Sequence, residues 1–180
     1  MTIRPQARRL QSRLLQAACI TILGCCVVQP AAAAEPPGPS RVRSSDRSFI
    51  ALIEWGTTQS ATFRALRASV EASDGIVYIE PGHCGHGVRA CLKTSIVFSG
   101  GNRFLRILIE RRKTDSDAEF IGSIGHELQH ALEALSQPSI RTGTQLYNFF
   151  RRTSSIDSNR FETTAAVNAG DAVRVELRVR

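Results

Sequence analysis

The sequence predicts a single α+β domain. Two helix-period segments, residues 59–72 and 120–135, enclose a block of alternating, β-branched segments, and turn residues punctuate the chain between them. Once a leader is set aside, the remaining length suits one hydrophobic core and hardly two.

The first 34 residues read as an export signal. Arg4, Arg8, Arg9 and Arg13 make a basic start, 14–28 is uncharged and apolar, and Ala31 to Ala34 supplies small residues for cleavage ahead of Glu35. The apolar stretch is short for a membrane span and ends at Pro30. A secreted or periplasmic location is expected. The alternative is a lipoprotein, because Ile22-Leu23-Gly24-Cys25 is similar to a lipidation box, and membrane attachment would then run through Cys25.

Removing this segment changes two other readings. The formal charge of +7 loses four arginines and no acids, leaving 19 basic against 16 acidic residues, or +3. Such an excess, scattered along the chain, excludes nucleic acid as the expected partner. Cys19, Cys25 and Cys26 also leave, so only Cys84 and Cys91 remain. An even pair in an exported chain predicts one disulfide, the alternative being a metal site shared with His83 or His86.

Residues 35–48, rich in Pro, Ser and charge, are expected to be a flexible leader, with the domain occupying 49–180. The apolar run 49–55 is ambiguous in type. Residues 59–72 place Phe63, Leu66 and Val70 at helical spacing before the Asp74-Gly75 turn. Strands are predicted at 76–80, ended by Pro81-Gly82, and at 94–98 and 104–111, the last two joined as a hairpin across Ser99-Gly100-Gly101-Asn102.

The next helix opens on Ser116 and Glu119, the pattern of a capping box, with Asp115 and Asp117 favourable to its dipole. Gly122 and Gly125 each cost about 1 kcal/mol against alanine, which close packing on the sheet is expected to offset. Pro138 stops it. A short helix is predicted over 145–152. Asp157 or Ser158 then caps a last helix carrying Phe161, Glu162, Ala165 and Ala166, and 172–179 reads as a final strand or a continuation of that helix.

The helix over 120–135 carries the chemistry. His126 and His130 are four apart, so they lie on one face about 6 Å apart along the axis, within reach of one ion. Glu127 points around the helix beside them. Catalytic zinc takes three protein ligands and leaves a position for water, for which an adjacent carboxylate is a suitable base.

This His126-Glu127-Leu128-Gln129-His130 segment resembles the active-site helix of zincin metallopeptidases. The resemblance implies Zn2+ held by His126 and His130, and Glu127 activating water. It also implies a small zincin-like domain whose twisted, mostly antiparallel sheet packs on that helix, with an edge strand beside the substrate cleft. Residues 105–110 are taken as that edge. A downstream helix would bear the third ligand, and Glu162 fits this role as in the gluzincin branch, although the branch's Asn before the glutamate is here Phe161. Asp157 is the alternative, and no histidine after His130 supports the metzincin pattern.

Tyr147 or Arg141 would supply an oxyanion donor. The expected function is hydrolysis of a peptide or protein substrate by an exported zinc metallopeptidase. A zincin-like zinc-binding envelope protein without peptidase activity is the alternative, and a structural protein with an accidental motif the third reading. Nothing in the sequence indicates an oligomeric state.

Overall fold

The structure is a computed structural model that describes residues 39–154 and 161–179. The export signal, Cys25, and Asp157 with Ser158 lie outside the described residues. The elements run β1 (Val42–Arg43), α1 (Arg47–Gln59), α2 (Ala61–Glu71), β2 (Gly75–Pro81), β3 (Ala90–Leu92), β4 (Val97–Ser99), β5 (Asn102–Ile109), α3 (Asp117–Leu135), α4 (Gly143–Thr153) and α5 (Thr164–Arg178).

The expected flexible leader is already structured from Ser40. The Glu71 carboxylate accepts the Arg41 amide at 2.8 and 2.9 Å, holding β1 beside β2. Asp46 then caps α1 by accepting from the amides of Ser48 and Phe49, at 2.8 and 3.2 Å. Composition concealed this, because two paired strand residues and one cap leave no periodic trace.

The sheet is mixed, which corrects the expectation of a mostly antiparallel one. Its order is β1-β2-β5-β3, with β4 also on β5; β1–β2 and β2–β5 are parallel, and β3 and β4 run antiparallel to β5. The hairpin of β4 and β5 forms as expected, turning through Gly100 and Gly101 at φ 56° and 78°, conformations that favour glycine. The β5 strand then inserts between β2 and the β3/β4 segment, so its second neighbour is parallel.

That insertion also corrects the edge. Residues 105–110 are not at an edge: Leu105 pairs with Val77 on one side, while Ile107 and Ile109 pair with β2 and with β3. The edge belongs to β3, a strand too short to read from alternation.

One face of the sheet is buried. Val77, Ile79, Leu105, Ile107 and Ile109 are fully covered, whereas Tyr78, Glu80, Phe104 and Arg106 on the other face are partly or wholly exposed. The helices α2 and α3 pack on the covered face, and α5 packs on α3. Phe63, Phe120, Ile121, Ile124 and Leu128 fill the space between, so α3 is surrounded over most of its length.

Its glycines face α5 and α2, not the sheet. A Cβ at Gly122 would meet the Gly170 carbonyl of α5 at 3.1 Å, and one at Gly125 would meet Val173 at 3.1 Å. The crossing helices therefore approach backbone to backbone. Ser116 caps α3 through the Glu119 amide, but the Glu119 carboxylate pairs with Arg89, Arg174 and Arg178, tying the loop before β3 to α3 and α5.

The far end of α3 is fixed by Arg103 on β5, which is 3% exposed. Its guanidinium meets Asp74 at 2.6 Å and donates to the carbonyls of Ala134, Leu135, Gln137 and Ile140. A fixed positive charge thus satisfies the open carbonyls and the negative end of the helix dipole together. Pro138 follows at once.

Candidate metal centre

The close crossing of α3 and α5 builds the site. Gly170 lies against the backbone of Gly122 and the Cβ of His126, which brings the chain just before α5 over the histidine-bearing turn. Glu162 stands there. It precedes the helix instead of lying on it, as the sequence had implied, because Thr163 is the N-cap and accepts from the Ala166 amide at 3.1 Å.

His126, His130 and Glu162 converge, with one ligand atom from each within 4.8 Å of the others. His126 Nε2 is 3.2 Å from Glu162 Oε2. That separation matches the edge of a tetrahedron around an ion with bonds of about 2.0 to 2.1 Å. The widest pair is longer than such an edge, so ion binding would draw the trio together. The group can hold a metal ion.

His130 is oriented from behind. Its Nδ1 lies 3.1 Å from Glu133 Oε2, while Glu133 Oε1 accepts from the Thr163 hydroxyl at 2.6 Å. Burial works to raise the Glu133 pKa, but the bonds from His130 and Thr163 outweigh it and hold the carboxyl below its ordinary range. An ionised carboxylate can only accept, so Nδ1 donates to it and Nε2 is the ring nitrogen left to face an ion. The same side chain thereby aligns one ligand and anchors the residue next to another. Sequence reasoning missed Glu133, although its three-residue spacing after His130 on one helix face was a usable signal.

Burial, followed by the neighbouring charge of His130, lowers the pKa of His126, partly countered by Glu162. The ring is therefore neutral near pH 7, the form that binds metal. Glu127 is 7% exposed, and burial pushes its carboxyl up to about 7 against the opposing pull of His130 and of a bond from the Leu92 amide. That bond, 2.7 Å to Oε2, comes from the edge strand β3 and was also invisible in the sequence. Oε1 lies 4.0 Å from His126 Nε2, on the side of the ligands.

These groups open into a cleft of about 450 Å³ whose other walls are Val88, Ala90, Leu92, Phe150 and Phe161 together with Cys84 and Cys91. Phe150 meets the His130 ring edge-on at 5.3 Å. Cys84 and Cys91 form the expected disulfide, and His83 faces Glu110 at 3.4 Å, so the alternative of a cysteine metal site is not what the structure contains. Neither suggested oxyanion donor lines the cleft: Tyr147 packs on Phe161, and Arg141 stacks over Phe98 at 4.5 Å.

No protein-family model, curated protein or solved structure matches the chain. The mixed α/β architecture and a three-residue centre that can hold a metal ion stand on the structure alone. Among the described residues, no helix is long and apolar enough to cross a membrane.

Proposed function

We propose that this chain is a zinc-dependent metallopeptidase of zincin type, with His126, His130 and Glu162 as the ligands and Glu127 as the base. The observation that carries the reading is the convergence of a third ligand, remote in sequence, on a helical histidine pair that already has a buried carboxylate beside it. Two imidazoles and a carboxylate suit zinc and match the donor set of a hydrolytic site with an open position. The orientation that Glu133 imposes on His130, and the lowered pKa that burial gives His126, fit the same ion.

A bound zinc supplies a Lewis acid that polarises a carbonyl and acidifies water. Glu127 moves the protons. Its Oε2 is held by Leu92, so Oε1 on the ligand side takes the proton from the attacking water and passes it to the leaving amine. Burial keeps this carboxyl near neutrality and excludes competing solvent, while positive charge placed at the trio would draw its pKa down from about 7.

A peptide is the substrate class that fits the cleft. Among the described residues β3 pairs with β5 alone, and although Glu127 takes the Leu92 amide, the outward-facing groups of Ala90 and the Leu92 carbonyl at the opening offer an extended chain a partner. The disulfide agrees with export to an oxidising compartment, periplasmic or extracellular, which the N-terminal sequence also favours.

The test is hydrolysis of a pool of quenched fluorescent peptides by the zinc-loaded protein, wild type beside Glu127→Gln. The variant is expected to keep stoichiometric zinc and lose about 10²- to 10⁴-fold in turnover. Wild-type protein that holds zinc but cleaves nothing in a broad pool, protein substrates included, would instead favour a zincin-like envelope protein without peptidase activity.

A further inference from the structure

The disulfide lies in the wall of the same cleft and one residue from the amide that holds Glu127. Pairing of this edge with β5 uses alternate residues: the Lys93 amide donates to the Arg106 carbonyl at 2.8 Å, and the Arg89 carbonyl accepts from Glu110 at 2.9 Å. Leu92 is out of phase with both. Its amide therefore points away from β5 and meets Glu127 Oε2 at 2.7 Å.

β3 is three residues long, and the loop before it turns through Gly85 and Gly87 at φ 115° and 74°, with open space around both Cα atoms. Its noncovalent anchors are the ladder to β5, the pairing of Arg89 with Asp115 and Glu119, and the packing of Ala90 and Leu92 on the core. The covalent anchor is Cys91 to Cys84, whose sulfur also lies 3.4 Å from the Leu108 carbonyl of β5.

We propose that the Cys84–Cys91 bond is a redox-sensitive positioning element that keeps the Leu92 amide on Glu127, so that reduction lowers turnover without emptying the metal centre. This rests on the reading of Glu127 as the base. The reductant is a dithiol, which delivers two electrons and two protons: the sulfur–sulfur bond breaks, two cysteine thiols form, and the dithiol becomes its own disulfide. Both cysteines line the cleft, so a small dithiol reaches them and a bound substrate shields them.

The experiment follows the Leu92 amide by NMR in the full-length protein, oxidised and after anaerobic reduction by dithiothreitol, the excess dithiol, itself a zinc chelator, being removed before spectra and assays without metal and with zinc. Reduction is expected to shift that proton upfield and speed its exchange about tenfold or more, leaving the amides of α3 protected. On the peptide pool, kcat should fall about tenfold, with KM and zinc affinity held within about twofold. Leu92→Pro removes this one amide and leaves the ladder amides of Cys91 and Lys93 in place. It should reproduce the low kcat while oxidised and ignore dithiothreitol.

An unmoved Leu92 resonance overturns the proposal. So does tighter zinc binding after reduction, which would mean that the freed thiols join the ion, or loss of protection throughout α3, which would mean general unfolding. If the oxidised wild type cleaves nothing, the base reading of Glu127 fails by itself, and the proposal with it, whatever the resonance does.

Discussion

Two buried ionisable groups serve the helix α3, Arg103 from β5 at its C-terminal end and Glu127 on its own middle turn, and the two are treated in opposite ways. Arg103, at the C-terminal end, meets a carboxylate and four carbonyls. Glu127, near the middle of the helix, has a single backbone donor and a pKa near 7. A buried charge with every donor engaged fixes structure, because any movement leaves polar groups unpaired. A buried carboxyl with spare capacity is poised between protonation states, which is what proton transfer requires.

The sharpest way to break that contrast is to remove both charges and compare stability. Arg103→Leu should destabilise by about 3 to 5 kcal/mol in urea denaturation, since Asp74 and the end of α3 lose their partner. Glu127→Gln should leave stability unchanged or slightly higher, because burial opposes the charge that it removes. Equal losses in the two variants would erase the distinction.

A second variant tests how the site is oriented. Glu133→Gln keeps the shape but weakens the hold on His130 Nδ1 and on Thr163, and zinc affinity should fall about 10- to 100-fold with the fold intact. An unchanged affinity would leave Glu133 as a surface carboxylate only. Next comes the helix crossing: Gly170→Leu places a side chain against the Gly122 carbonyl and His126, and should cost about 1 to 3 kcal/mol of stability and weaken zinc binding together.

The smallest effect belongs to a carboxylate far from the centre. Burial alone would raise the Glu176 pKa, but hydrogen bonds from Ser60 and Thr62 at the start of α2 outweigh it and place the folded value below the ordinary 4.5. Its contribution is therefore complete above the unfolded value and lost as pH falls through the folded one. Glu176→Gln should be about 1 kcal/mol less stable than wild type at neutral pH, with the gap closing in acid. A gap that widened in acid would reverse the sign.

How far the sequence could be read follows the same contrast. Groups that act through local spacing were legible: the His126-Glu127 to His130 face, the Ser116 cap, and the turn at Gly100 and Gly101. Groups that act through tertiary placement were not. The pairing of β2 with β5 depends on β5 inserting between segments, and no residue in either strand records which neighbour is parallel. The sequence did name Glu162, from a resemblance, but set it on a helix that begins two residues later. The contacts of Leu92 and Arg103 were not legible either, since a backbone amide carries no side-chain signature and an arginine in a strand reads as exposed until its partners are known.

The claim on which the rest depends is that three residues from two parts of the chain hold one ion. Its most direct test is titration of the chelator-stripped protein with Zn2+, wild type beside Glu162→Ala, with X-ray absorption on the wild-type complex. One equivalent should bind, with two imidazoles and a carboxylate oxygen and no sulfur around the zinc, and with affinity about tenfold or more weaker in the variant. No saturable binding, sulfur in the shell, or equal affinity in Glu162→Ala would contradict it.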